Sequence, residues 1–165
     1  MLWSANTSEL KNLSAQILQN EIGVQPCGDL QAILWADESG TIEWVVGYTA
    51  FIGKTCQMHM VNLKGGYTPK QLLKSAFEYP FNHCNLEKVF GIVNSKNTKA
   101  MEYDQKLGFK EAHRFAGVHD DGGDIVVFEM DKADCRWIKE RKHEHIEKQA
   151  LGLDLGRQTH PIRRW

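Results

Sequence analysis

The spacing of apolar residues changes period several times along the chain, and each change predicts an element. Leu10, Leu13, Ile17 and Leu18 share one face at helical spacing. With Asn6 as cap and Glu9 as its reciprocal partner, they predict a helix over about residues 7–22. Residues 30–35 read as a strand, and Asp37-Glu-Ser-Gly40 as a turn. Residues 41–52 form a long strand, with Ile42, Trp44, Val46 and Tyr48 alternating onto one face. Gly53-Lys54 then turns the chain into a strand over 55–61, so these three strands predict an antiparallel meander.

A glycine loop over 62–67 leads into the second helix. Thr68 is its expected cap, Pro69 its first residue and Gln71 the partner three residues on. Leu72, Leu73, Ala76 and Phe77 carry the apolar face, and Pro80 is expected to stop it. Residues 88–93 are apolar without alternation, which predicts a strand buried on both faces. Asn94, Ser95 and Asn97 offer caps for a helix through 100–107, with Gly108 as its C′ residue. Strands over 111–118 and 124–130 flank the turn His119-Asp-Asp-Gly-Gly123, and a polar helix is expected over 131–149. Residues 152–165 show no period.

Composition narrows the class. The 165 residues suit one domain, and 42% hydrophobic with 25% charged residues is an ordinary globular balance. No apolar run spans a membrane and no secretory signal opens the chain, so a cytoplasmic location is expected. Four spread cysteines without a CxxC pattern read as reduced thiols. Net charge is −1, but residues 131–165 hold nine Lys and Arg against six Asp and Glu. The interleaved acids favour a solvated tail over a nucleic-acid contact.

The loop before the second helix has chemistry of its own. A glycine turn feeding a helix N-terminus exposes N–H groups that suit an anion, although a plain strand-to-helix turn has the same sequence. The GxxxxGK[ST] and GxGxxG patterns are absent, so neither a P-loop nor a Rossmann reading is supported. Cys56 with His59 and His83 with Cys84 cannot chelate at strand spacing, His143 and His145 do not face one ligand, and no metal is expected.

The segments Val93-Asn-Ser-Lys-Asn-Thr-Lys-Ala100 and Lys106-Leu-Gly-Phe109 look like the N-x-x-A … K-L-G-F helix of the GCN5-related N-acetyltransferase (GNAT) superfamily. The element order agrees, and the resemblance covers about residues 28–137. Met58-His-Met60, Tyr79-Pro-Phe81 and Cys135-Arg-Trp137 look like a subgroup found in phages and bacteria. The resemblance implies an α+β fold: a mixed, mostly antiparallel sheet flanked by helices, with a cofactor cleft between splayed central strands. It implies acetyl-CoA as donor and a primary amine as acceptor, a homodimer being possible. On this chain the cofactor would meet the backbone of Met60, Val61 and Asn62, and its pyrophosphate the amides of Lys64, Gly65, Gly66, Tyr67 and Thr68. Lys64 and Lys70 would add charge, and Asn97 would reach the cofactor. Residues 1–137 would form this domain and 138–165 a polar extension, with residues after about 139 serving substrate approach or self-association.

The chain departs from the family pattern in three places. The pyrophosphate loop is short, with only the Gly65-Gly66 pair. The tyrosine usual seven residues after the asparagine is Asp104 here, with Tyr103 one residue early. Only five residues precede the first helix, so the family's first strand is not expected. For the chemistry, His59 is the first candidate to take the amine's proton or orient the acceptor, and Glu43 is the second, acting through water. Tyr103 and Asp104 are candidates for protonating the leaving thiolate. The alternative from another class is a non-catalytic interaction protein of the same fold that binds CoA.

Overall fold

The computed structural model describes residues 1–4, 7–25 and 27–138. Its elements are β1 (Leu2–Ser4), α1 (Ser8–Ile22), β2 (Gln31–Ala36), β3 (Ile42–Ile52), β4 (Thr55–Asn62), α2 (Lys70–Glu78), a π-helical turn (Tyr79–His83), β5 (Lys88–Asn94), α3 (Thr98–Leu107), β6 (Lys110–Phe115) and β7 (Ile125–Asp131). Seven strands form one mixed sheet in the order β1-β2-β3-β4-β5-β7-β6. Every neighbouring pair is antiparallel except β4 and β5, which α2 joins as a crossover.

Two apolar layers hold the sheet. Under α2 and α3 lie Tyr48, Leu72, Phe77, Phe81, Leu107 and Phe128, all buried. Under α1 a smaller cluster joins Leu18, Leu30, Leu34, Val45 and Val61. Gly47 sets how closely α1 approaches, since a Cβ there would come within 2.5 Å of Leu18 Cδ1. Trp44, Val46 and Tyr48 do share a face, but Ile42 does not. Ala36 pairs with Ile42 while Trp35 pairs with Trp44, so Glu43 is an extra residue that turns Ile42 onto the α1 side.

Several sequence expectations need correction. Thr7, not Asn6, caps α1, its hydroxyl accepting from Leu10 N at 3.3 Å. A first strand does exist: Leu2–Ser4 pair with Ile33, Leu34 and Trp35, three residues being enough when Leu2 and Trp3 pack on opposite faces. Pro80 does not end the helical path, which widens into a π turn. Pro80 has no N–H for the carbonyl four residues back, and that carbonyl, Ala76 O, instead accepts from the buried Tyr48 hydroxyl at 2.7 Å. Strand β5 is not buried on both faces, for Ile92 is 48% exposed. No described helix covers β5 on the α1 side, because α1 packs on β2, β3 and β4. The helix expected over 131–149 is not present in its described part: Asp131 ends β7 and residues 132–138 form turns. That segment docks, with Cys135 buried and Trp137 stacked on Phe77 while its Nε1 donates to Leu107 O at 2.9 Å. The extension expected from residue 139 onward lies outside the described residues.

Candidate active site in the splayed sheet

The parallel pair at the sheet's centre is short. Only Thr55–Lys88, Cys56–Val89 and Gln57–Phe90 are in register, although β4 continues to Asn62 and β5 to Asn94. Beyond Gln57 the strands part and open a cleft of about 600 Å³. Met58, His59 and Met60 form one wall, Gly91 to Asn94 the other, and α3 contributes Asn97, Tyr103 and Asp104. The C-terminal end of α1 and the β6–β7 turn close its sides through Glu21 and His119.

Five of the candidate residues meet in this cleft: His59, Met60, Asn97, Tyr103 and Asp104. His59 is buried, and its Nε2 lies 2.8 Å from Thr49 Oγ1. Burial pushes the ring down to about 4, so it is neutral at neutral pH. Asp104 behaves in the opposite sense: burial raises its carboxyl to about 6. Its side chain has no hydrogen-bond or ion-pair partner among the described residues. The space over Gly91 brings it to the reaction wall, since a Cβ on that glycine would stand 3.7 Å from Asp104 Oδ2 and 3.9 Å from the Met58 carbonyl oxygen.

Tyr103 is placed differently from its neighbour, as one helical step requires. Its ring stacks on Trp44 at 6.4 Å and its hydroxyl lies 2.7 Å from Thr68 Oγ1. Burial raises its pKa despite that bond, so the phenol is a weaker acid than usual. Thr68 is therefore not the cap of α2; Pro69 occupies that position and no side chain caps the first turn. Asn97 does cap α3, with Oδ1 accepting from Ala100 N at 3.1 Å; the residue lines the cleft and its Nδ2 has no hydrogen-bond partner among the described residues.

The glycine loop lies outside the cleft's lining. Gly65 and Gly66 both have positive φ and open space where a Cβ would stand. Asn62 Oδ1 accepts from Lys64 N at 3.2 Å and Gly65 N at 2.8 Å, so these two amides already have a partner. Lys64 pairs with Glu43, which sits at the bulge and does not line the cleft. Tyr67 and Lys70 are exposed, and Val61 is buried under α1. An acetyl-CoA chain fits this arrangement. The unpaired edge of β4 offers backbone groups to an extended chain of amides, and the uncapped first turn of α2 offers N–H groups to a phosphate.

Sequence reasoning missed Thr49, Gly91 and the His119–Asp121 turn. Gly91 lay inside an apolar run and the turn read only as punctuation. The sole available signal was a polar triplet, His119 and Asp121 with Asn94, which lies 25 residues before His119 in sequence. Among the described residues no group of three His, Cys, Asp or Glu could hold a metal ion, and no helix is long and apolar enough to cross a membrane.

No protein-family model and no curated protein matches the chain. Solved structures do. A chimera of the spermidine N-acetyltransferase from Vibrio cholerae superposes with a TM-score of 0.66 at 15% identity, over 84% of this chain and 99% of that one. The Vibrio cholerae enzyme in complex with CoA and spermine gives 0.63 at 14% identity, over 84% and 98%. A dodecameric structure of that enzyme in an intermediate state gives 0.65 at 14% identity, over 81% and 94%. At such identities the likeness is one of architecture, and the chain has the mixed α+β fold of the GCN5-related N-acetyltransferases.

Proposed function

We propose that this protein is an N-acetyltransferase that moves the acetyl group of acetyl-CoA to a primary amine by direct attack. The observation that carries this reading is the early parting of β4 and β5, which leaves an unpaired strand edge beside an isolated carboxyl. Acetyl-CoA supplies the activated acyl group as a thioester. The chain's own residues do the rest. The backbone of Met60, Val61 and Asn62 holds the donor's amide arm along β4. The first turn of α2 with Lys70, next to the Gly65-Gly66 turn, takes the phosphates, and Asn97 Nδ2 donates to the arm. An N–H near Met60 or Val61 polarises the thioester carbonyl. Asp104, with its carboxyl raised to about 6, keeps a share of its proton near neutral pH and gives it to the departing sulfur. His59, held by Thr49, supports the wall opposite and keeps the site free of an extra charge.

The test is calorimetry with CoA and acetyl-CoA, followed by turnover on a panel of amines. Polyamines come first on the panel, because a protein of the same fold binds spermine. Binding in the micromolar range and acetylation of at least one amine are expected. Lack of CoA binding at millimolar ligand overturns the reading. Binding without acetylation of any amine leaves a CoA-binding protein that is not an enzyme.

A further inference from the structure

The β6–β7 turn puts a second histidine at the cleft, in surroundings opposite to those of His59. His119 lines the cleft and its side chain is 39% exposed. Its Nδ1 lies 3.0 Å from Asp121 Oδ1. That carboxylate is itself fixed. Asn94 Nδ2 donates to Oδ2 at 2.8 Å and Gly123 N donates to Oδ1 at 2.8 Å. Lys96 on the α3 approach faces the same group, its Nζ 3.8 Å from Oδ1 and bonded to the Asp121 carbonyl. Asn94 is oriented in turn, since its Oδ1 accepts from Lys96 N at 3.0 Å. The turn thus hangs on the end of β5 by a network that reaches the mouth of the cleft.

This network selects the tautomer of His119. The Asp121 N–H points at Nδ1 from 3.4 Å and Asn94 Nδ2 lies 3.2 Å from it, both longer than the 3.0 Å to the carboxylate oxygen, and each of these donors competes with a hydrogen on Nδ1. The Asn94 bond and the Gly123 amide hold Asp121 down at about 2, so it is ionised and only accepts. A hydrogen bond to a charged acceptor is about twice as strong as a neutral one. Nδ1 therefore carries the hydrogen and donates to Asp121. That leaves Nε2 as a free lone pair, with no partner among the described residues. Among the described residues, the other ionisable acids that border the cleft are Glu21 at the end of α1 and Asp104 on α3, and no described Lys or Arg lines it.

We propose that His119, oriented by Asp121, is the group that binds the acceptor's ammonium and takes its proton. The inference rests on the acetyl-transfer reading above. Nε2 receives one proton from the ammonium, leaving a neutral amine with a lone pair. The amine nitrogen then bonds to the acetyl carbon as the carbon–sulfur bond breaks. The sulfur takes the proton held by Asp104, and the second proton lost by the nitrogen returns to Asp104 through water. His119 releases its proton to solvent, so the sum is amine plus thioester giving acetamide plus thiol. The cleft's acids and its lack of cations fit a cationic acceptor. His119 would be a catalytic residue and Asp121 a positioning residue.

The test compares wild type, His119→Gln and Asp121→Asn on the best amine of the panel, from pH 6.5 to 10. Both substitutions sit in an exposed turn, and Asn can still accept from Gly123 N. His119→Gln should lower kcat/KM about 10²-fold at pH 7. The loss should shrink as pH rises toward the amine's own range near about 10, where free amine no longer needs a base. Asp121→Asn should cause a smaller loss with the same pH trend, and ring ¹⁵N shifts of His119 should show the Nδ1–H form only in the wild type. Acetyl-CoA affinity should be unchanged in both. A deficit that does not vary with pH, or no deficit at all in an active enzyme, overturns the role of His119 alone. A wild type that acetylates nothing overturns the acetyl-transfer reading and this role with it.

Discussion

The two ends of the cleft each hold a histidine and an aspartate, and the protein treats the pairs in opposite ways. At the inner end, near the last β4–β5 pair, His59 is buried and Asp104 half-buried, and both neutral forms are favoured. Neither is offered a charged partner: His59 bonds a hydroxyl and Asp104 bonds no side chain among the described residues. At the outer end, Asp121 is exposed to water, held ionised by an amide and a backbone N–H, and anchors His119. Burial without partners suppresses charge, while hydrogen bonds to the charged form fix it. On the acetyl-transfer reading proposed above, the more buried end would serve the departing sulfur and the wetter end the arriving ammonium.

The sharpest break of this comparison is at Asp104. Asp104→Asn keeps the shape but removes the transferable proton, so kcat should fall about 10²-fold or more while acetyl-CoA affinity stays within a few-fold. Stopped-flow binding and steady-state turnover would separate the two. An equal loss of affinity would place Asp104 in donor binding and not in proton transfer.

A second test uses stability against pH. His59 has a folded-state value near 4 against an ordinary 6.5, so the unfolded chain binds more protons between them, and stability falls as pH drops through that window. Asp104 is raised from 3.8 to about 6, so the folded chain binds more protons there, and stability rises as pH drops. In the wild type these two groups should therefore contribute opposing slopes to the denaturant midpoint from pH 4 to 6. Asp104→Asn should unmask the histidine slope, losing up to about 3 kcal/mol on acidification at about 1.4 kcal/mol per unit. His59→Gln should tilt the other way and by less, because Asp104 keeps some contact with water. Parallel curves for all three proteins would remove the inner-end description.

The smallest effect is expected at Tyr103. Tyr103→Phe keeps the stacking on Trp44 and loses the bond to Thr68, a change of about 1 kcal/mol in urea unfolding. Turnover should stay within a few-fold of wild type. A loss as large as that of Asp104→Asn would move the proton-donor role to the tyrosine.

Much of the architecture was legible from local pattern. The meander of β2, β3 and β4 followed from alternation and short turns, and α3 from its Asn97 cap and its Gly108 end, where φ is +110°. Thr68 was misread because a cap and a side-chain partner look alike in sequence; the choice fell to Tyr103, 35 residues away. The same limit explains Ile42, whose face depends on one bulged residue, and β5, whose apolar run borders a cleft on one side.

The sequence alone determined the order of elements from α1 to β7 apart from the π turn, the strand-to-helix glycine turn and the presence of Tyr103 and Asp104 one step apart on a helix. These rest on periods and caps acting over a few residues. Only the tertiary structure decided where β4 and β5 separate, that Asp104 reaches the space over Gly91 while Tyr103 bonds Thr68, and that Asn94 meets the His119–Asp121 turn. Burial and long-range hydrogen bonding set those properties, and both depend on contacts between residues that the chain keeps far apart.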